Sequence, residues 1–136
     1  MERSEMDRMV NEHFGYEAAD DVDGVVGTVT DDVVHLVVGS PYGEIRGKDA
    51  VRPFYEELFR TLKGEGVEPV ARWYGEDFVV DEVLWTGRID DGKFFGLPGA
   101  SGNATFRLLH VFEFRDGLIS SERVYSDIAA IAAQVA

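Results

Sequence analysis

ATFRLLHVFEFR-DG-LISSERVYSD, residues 104–127, decides how this chain folds. Phe106, Leu108, His110, Phe112 and Phe114 alternate with Thr105, Arg107, Leu109, Val111 and Glu113, the period of two that a strand imposes. Asp116-Gly117 supplies a turn, and a second strand runs from Leu118 to Asp127. The register of this hairpin is open. With Arg115-Asp116-Gly117 as a three-residue loop, His110 faces Glu122, Leu108 faces Val124 and Phe106 faces Ser126. A two-residue Asp116-Gly117 turn puts Arg123, Tyr125 and Asp127 on that face instead.

Working backwards, Val67–Tyr74 and Phe78–Ile89 read as two further strands, with Asp90-Asp91-Gly92 as a hairpin turn into Lys93–Gly96. The glycine-rich stretch Leu97–Asn103 reads as a connection. The clearest helix runs from Lys48 to Lys63, with Val51, Phe54, Tyr55, Leu58, Phe59 and Leu62 as its apolar stripe. Pro53 falls in its first turn, and Gly64 ends it. Val33–Val38, interrupted by His35, is β-branched and short enough for a buried strand, closed by a turn over Gly39–Gly43. Met6, Met9, Val10, His13 and Phe14 share one face of an opening helix, and Asp20 or Asp21 caps a short second one. An alanine-rich helix ends the sequence. Helices grouped ahead of a run of strands argue α+β, with three helices packed on one face of a curved antiparallel sheet.

With 136 residues the sequence supports one domain, residues 1–136, large enough to bury a core without staples. It has no cysteine, so disulfides, thiolate nucleophiles and cysteine-ligated metals are excluded. The net charge of −13 opposes nucleic-acid and membrane-surface partners. No apolar run reaches the roughly 20 residues of a membrane span. Residues 1–10 lack a signal-peptide core, so the expected location is cytoplasmic.

The element order and four local strings resemble the nuclear-transport-factor-like superfamily, and within it the SnoaL-like polyketide cyclases, ketosteroid isomerases and limonene-epoxide hydrolases. The strings are the Asp21-Val22 helix leading to Thr30-Asp31-Asp32-Val33, Arg46–Tyr55, Gly96-Leu97-Pro98 with its glycine-rich sequel, and Val111–Ile119 running into Glu122–Tyr125. That resemblance implies a cone-shaped roll in which helices close a bent sheet around one deep apolar pocket. It implies a hydrophobic small-molecule ligand, no cofactor, no metal, and a homodimer paired through the outer sheet face, where Leu109 and Val111 supply apolar surface.

The resemblance also gives the three histidines a common direction. His13 falls where ketosteroid isomerases carry the tyrosine of their oxyanion hole. His110 falls where they carry a protonated aspartic acid, and where SnoaL-like cyclases carry an active-site histidine. His35 shares a strand face with Val37, which falls at the isomerase base. All three are therefore expected to point into the pocket, with His110, His13 and Glu122 as catalytic candidates. His35, Val37, Phe54, Tyr55, Phe112, Val124 and Ser126 are the expected substrate contacts. Imidazole can donate to a carbonyl or take a proton from carbon near neutral pH.

Two positions depart from the pattern. Val124 stands where cyclases and epoxide hydrolases carry an acid/base aspartate, and Val37 stands where isomerases carry theirs. Arg88-Ile89-Asp90 resembles the hydrolase arginine–aspartate pair, but it also reads as the start of an ordinary turn. Three functions therefore remain open from the sequence. One is a cofactor-independent isomerase or cyclase acting on a hydrophobic carbonyl compound. The second is a non-catalytic binder of an apolar ligand. The third is a dimerising module with a filled pocket.

Overall fold

A computed structural model describes residues 1–136. Its elements are α1 (Arg3–Ala18), α2 (Val22–Val26), β1 (Val29–Val37), β2 (Glu44–Arg46), α3 (Lys48–Thr61), β3 (Leu62–Tyr74), β4 (Phe78–Ile89), β5 (Gly102–Arg115), β6 (Leu118–Ser126) and α4 (Ile128–Gln134). The strands form one six-stranded sheet in the order β2-β1-β6-β5-β4-β3. Only the β1–β6 pair is parallel. The fold is α+β, a curved sheet not closed into a barrel. No helix is long and apolar enough to cross a membrane.

The helices cover the concave face because each carries one apolar stripe. Met6, Met9 and Val10 of α1, Val25 and Val26 of α2, and Val51, Phe54, Tyr55 and Phe59 of α3 are buried against Val33, Val79, Phe112, Phe114 and Ile119 of the sheet. Such burial contributes about 1.5–3 kcal/mol for each large apolar side chain. A smaller cluster, Ile89, Phe95, Ala104 and Phe106, is closed by Ile131 of α4. The opposite sheet face carries exposed Trp73 and Tyr125 beside half-buried Leu109 and Val111.

Several expected boundaries move. Helix α3 stops at Thr61, and Leu62 already belongs to β3, so Gly64 is not the terminator. Leu62 lies opposite Ile89 of β4, and that pairing captures the chain before the helix can take another turn. Pro53 sits in the second turn of α3 rather than the first, where it forgoes one backbone hydrogen bond. The buried stripe on either side holds the helix together. Lys93–Phe95 forms a 3-10 turn instead of a strand, because Asp91 Oδ1 accepts from the Lys93 and Gly99 amides and curls the segment. Strand β2, absent from the sequence expectation, pairs with β1 through Val34, His35 and Leu36.

The hairpin register differs from both alternatives. Asp116 and Gly117 both have positive φ, +54° and +77°, and form a two-residue turn that pairs Arg115 with Leu118. Ser120 is then an extra residue, since Phe114 pairs with Ile119 but Glu113 pairs with Ser121. That bulge restores the parity the short turn would have reversed. His110 consequently lies opposite Val124, Phe112 opposite Glu122 and Leu108 opposite Ser126. The concave face keeps Glu122, Val124 and Ser126, as in the three-residue-loop register, each displaced by two residues from the partner that register gives it.

Candidate functional site

Between the helices and the sheet lies a cavity of about 700 Å³. Its walls are largely Phe54, Phe59, Trp85, Phe94, Phe106 and Leu108, and its inner end is polar. The exposed residues Asp20, Gly64 and Glu65 mark its rim, where the end of α1 meets the start of β3.

Glu122 is the hub of the polar end. It is only 1 % exposed and comes from β6, just past the Ser120 bulge that turns it inward. Tyr55 Oη, from α3, donates to Glu122 Oε2 at 2.7 Å. The Nε2 atoms of His13, His35 and His110 stand 3.3, 3.5 and 3.7 Å from its carboxylate oxygens. Three rings from α1, β1 and β5 thus surround one buried charge. Burial alone would raise the Glu122 pKa, but His13 and His35 beside it hold the carboxyl well below the usual range.

The three imidazoles are not equivalent. His13 is fully buried and lies behind the cavity wall rather than on it. Its Nδ1 lies 2.8 Å from Thr28 Oγ1, and that hydroxyl spends its own hydrogen on the Val25 carbonyl at 2.6 Å. Thr28 can therefore only accept from His13, which fixes a proton on Nδ1. Nε2 faces Glu17 Oε1 at 2.8 Å as well as Glu122. Burial pulls the ring's pKa down, but Glu122 and Glu17 outweigh it and push it up to about 10. His13 is an imidazolium with both N–H groups engaged, and it differs here from the pocket-facing donor expected from sequence.

His35 and His110 do line the cavity. In both, Nδ1 is buried and hydrogen-bonded to nothing in the protein. His35 packs on Phe54, ring centroids 4.4 Å apart, and His110 stacks on Phe112 at 5.4 Å with planes 7° apart. Burial lowers the His35 pKa despite the attraction of Glu122, so its ring is neutral at pH 7. Tyr55 is held protonated well above its ordinary value by burial and by the adjacent Glu122.

Of the expected contacts, Val37, Phe54, Tyr55, Val124 and Ser126 line the cavity. Phe112 is fully buried beneath His110 and does not reach it. Val37 and Val124 are register partners across the parallel β1–β6 pair, so the two apolar replacements form one patch. Arg88 is ion-paired with Asp90 at the surface, 2.8 Å apart and away from the cavity. Glu17 and Thr28 had no place in the sequence expectation. Glu17 was within reach of sequence reasoning, because it follows His13 by four residues and so shares its helix face. Thr28 carries no such local signal. His13, Glu17 and Glu122 each bring one ligand-type atom within 4.8 Å of the others, and a divalent cation held there would have to displace the Nε2 proton of His13.

Comparison with curated proteins finds no match. Among solved structures the chain is similar to one described as a SnoaL-like polyketide cyclase from Jannaschia sp. CCS1. That match has a TM-score of 0.79 and 20 % identity over 96 % of this chain and 91 % of the other. It is also similar to an LEH-like epoxide hydrolase from M. tuberculosis, with TM-score 0.74 and 22 % identity over 96 % and 88 %. An NTF2-like protein from Burkholderia xenovorans LB400 gives TM-score 0.75 and 18 % identity over 98 % of both chains. These likenesses establish the nuclear-transport-factor-like cone fold, shared by isomerases, cyclases and epoxide hydrolases. With the SnoaL-like domain model matching residues 10–122, the chain belongs to the SnoaL-like family.

Proposed function

We propose that this protein binds a hydrophobic carbonyl compound in its cavity and moves a proton on it without a cofactor. The observation that carries this reading is the fully buried Glu122 with two unspent, cavity-lining imidazoles beside it. A neutral imidazole takes the proton from the carbon next to the carbonyl, and the imidazolium so formed is stabilised by Glu122. Return of that proton to a different carbon is an isomerisation, and no electrons are gained or lost. His110 and His35 carry the acid/base work, Tyr55 steadies the carboxylate, and His13 offsets its charge. Two copies pair through the outer sheet face at Trp73, Leu109, Val111 and Tyr125. Light scattering showing a monomer at micromolar concentration removes that assembly.

The test is hydrogen–deuterium exchange next to the carbonyl, followed by NMR for a panel of cyclic hydrophobic ketones in D2O. Binding is read in parallel from Trp85, which lines the cavity, in a Trp73→Phe background. Exchange above buffer supports proton transfer. Binding without exchange supports a second reading, non-catalytic sequestration, which the apolar Val37–Val124 patch favours.

A further inference from the structure

The charges on the cavity surface are one-sided. Glu17, Asp20, Glu65 and Glu122 all line it, and no arginine does. Lys63 is the one basic residue at the rim, and its ammonium already donates to the Phe59 carbonyl. The His13 cation sits behind the wall between Glu17 and Glu122, so it matches one of those two carboxylates and leaves the other in excess. Glu17 is 22 % exposed and lies between the buried cluster and the rim. A second, independent feature points the same way. Phe14, Phe54, Tyr55, Phe59, Trp85 and Phe94 line the space, and aromatic faces attract cations.

We infer that the cavity selects a guest bearing a protonated amine, held beside Glu17 within the aromatic walls, and rejects carboxylates and phosphates. This deepens the reading of the cavity as a small-molecule site and rests on it. An anionic guest would meet uncompensated carboxylates in a space of low dielectric, while the one ammonium near it, Lys63, lies exposed at the rim. An ammonium group meets acceptors and ring faces, and the −13 net charge of the chain draws it in from solution.

Three naphthalene compounds of equal bulk test the inference by calorimetry in buffer containing EDTA: 2-naphthylethylamine, 2-naphthylethanol and 2-naphthylacetate. The expected order of affinity is amine, alcohol, carboxylate, with at least tenfold between the first and last. Glu17→Gln, which can still hydrogen-bond His13, is expected to cut that ratio at least threefold while the alcohol binds as before. Glu65→Gln, a substitution at the exposed rim, gives the same readout if Glu17→Gln does not fold, with about a twofold loss of the ratio expected. Equal or tighter binding of the carboxylate, or an unchanged ratio in whichever variant folds, overturns the selectivity alone. Failure of all three compounds to bind removes the small-molecule site itself. A rise in melting temperature with Zn²⁺ alone, lost in Glu17→Gln, assigns these carboxylates to a metal and overturns the proposal.

Discussion

On the α1 side of Glu122, His13 commits both ring nitrogens to Thr28, Glu17 and Glu122; on the sheet side, His35 and His110 leave Nδ1 without a partner. The same residue type has both ring nitrogens engaged in one place and one nitrogen unpartnered in the other. Second contacts make the difference. Thr28, itself locked by its bond to Val25, and Glu17, one helical turn along, complete the shell of His13. A carboxylate as buried as Glu122 would otherwise draw a proton onto whichever neighbour could take it. His13 supplies the charge that answers Glu122, and the proton transfer proposed above is assigned to the two cavity-lining rings.

The largest expected effect lies on the sheet side. Replacing both rings, His35→Gln with His110→Gln, is expected to lower proton exchange on the ketone panel by about 10²–10⁴-fold. Its melting temperature should stay within a few degrees of wild type, because glutamine keeps hydrogen-bonding capacity without charge. A comparable rate in the double variant breaks the distinction from that side.

On the α1 side the effect belongs to stability. His13→Leu leaves Glu122 buried without its cation and is expected to cost about 3–5 kcal/mol in urea unfolding. A cost below about 1 kcal/mol would mean that His13 is not the counterion, since surface-like pairs are worth no more than that.

The pH dependence is gentler and carries a sign for each group. His13 is raised, so its contribution is complete below about pH 6.5 and declines as pH climbs toward about 10. Glu122 is depressed, so its contribution is present above its ordinary carboxylate range and declines as pH falls below it. His35 is lowered, so below about pH 6.5 the unfolded chain takes up a proton that the folded ring refuses, and stability falls with acid. Urea titrations should therefore peak near pH 6.5. Above that they should lose about 1 kcal/mol per pH unit, a slope that flattens in His13→Leu.

The architecture was legible because it rests on periodicity. The bounds of β4, Phe78–Ile89, and the buried stripe of α1 follow from alternation and helical spacing alone. The gathering of the three histidines needed the family resemblance, since His13, His35 and His110 lie far apart in sequence, and that Glu122 is common to all three was not legible there. Their unequal states could not be read that way. They depend on Thr28 and Glu17, and on a bulge at Ser120 that no local signal marks. The junction at Leu62 was hidden for a related reason, because pairing with Ile89 overrides a helical pattern that runs on past Thr61.

Long-range proton–nitrogen NMR of the imidazoles between pH 6 and 9 decides whether the rings differ in this way, because it reads the charge and tautomer of each. His13 is expected to stay doubly protonated throughout, with no inflection near 6.5, while His35 is already neutral at pH 7. A His13 resonance that titrates near pH 6.5 like a free imidazole, or a His35 ring charged at pH 7, would contradict it.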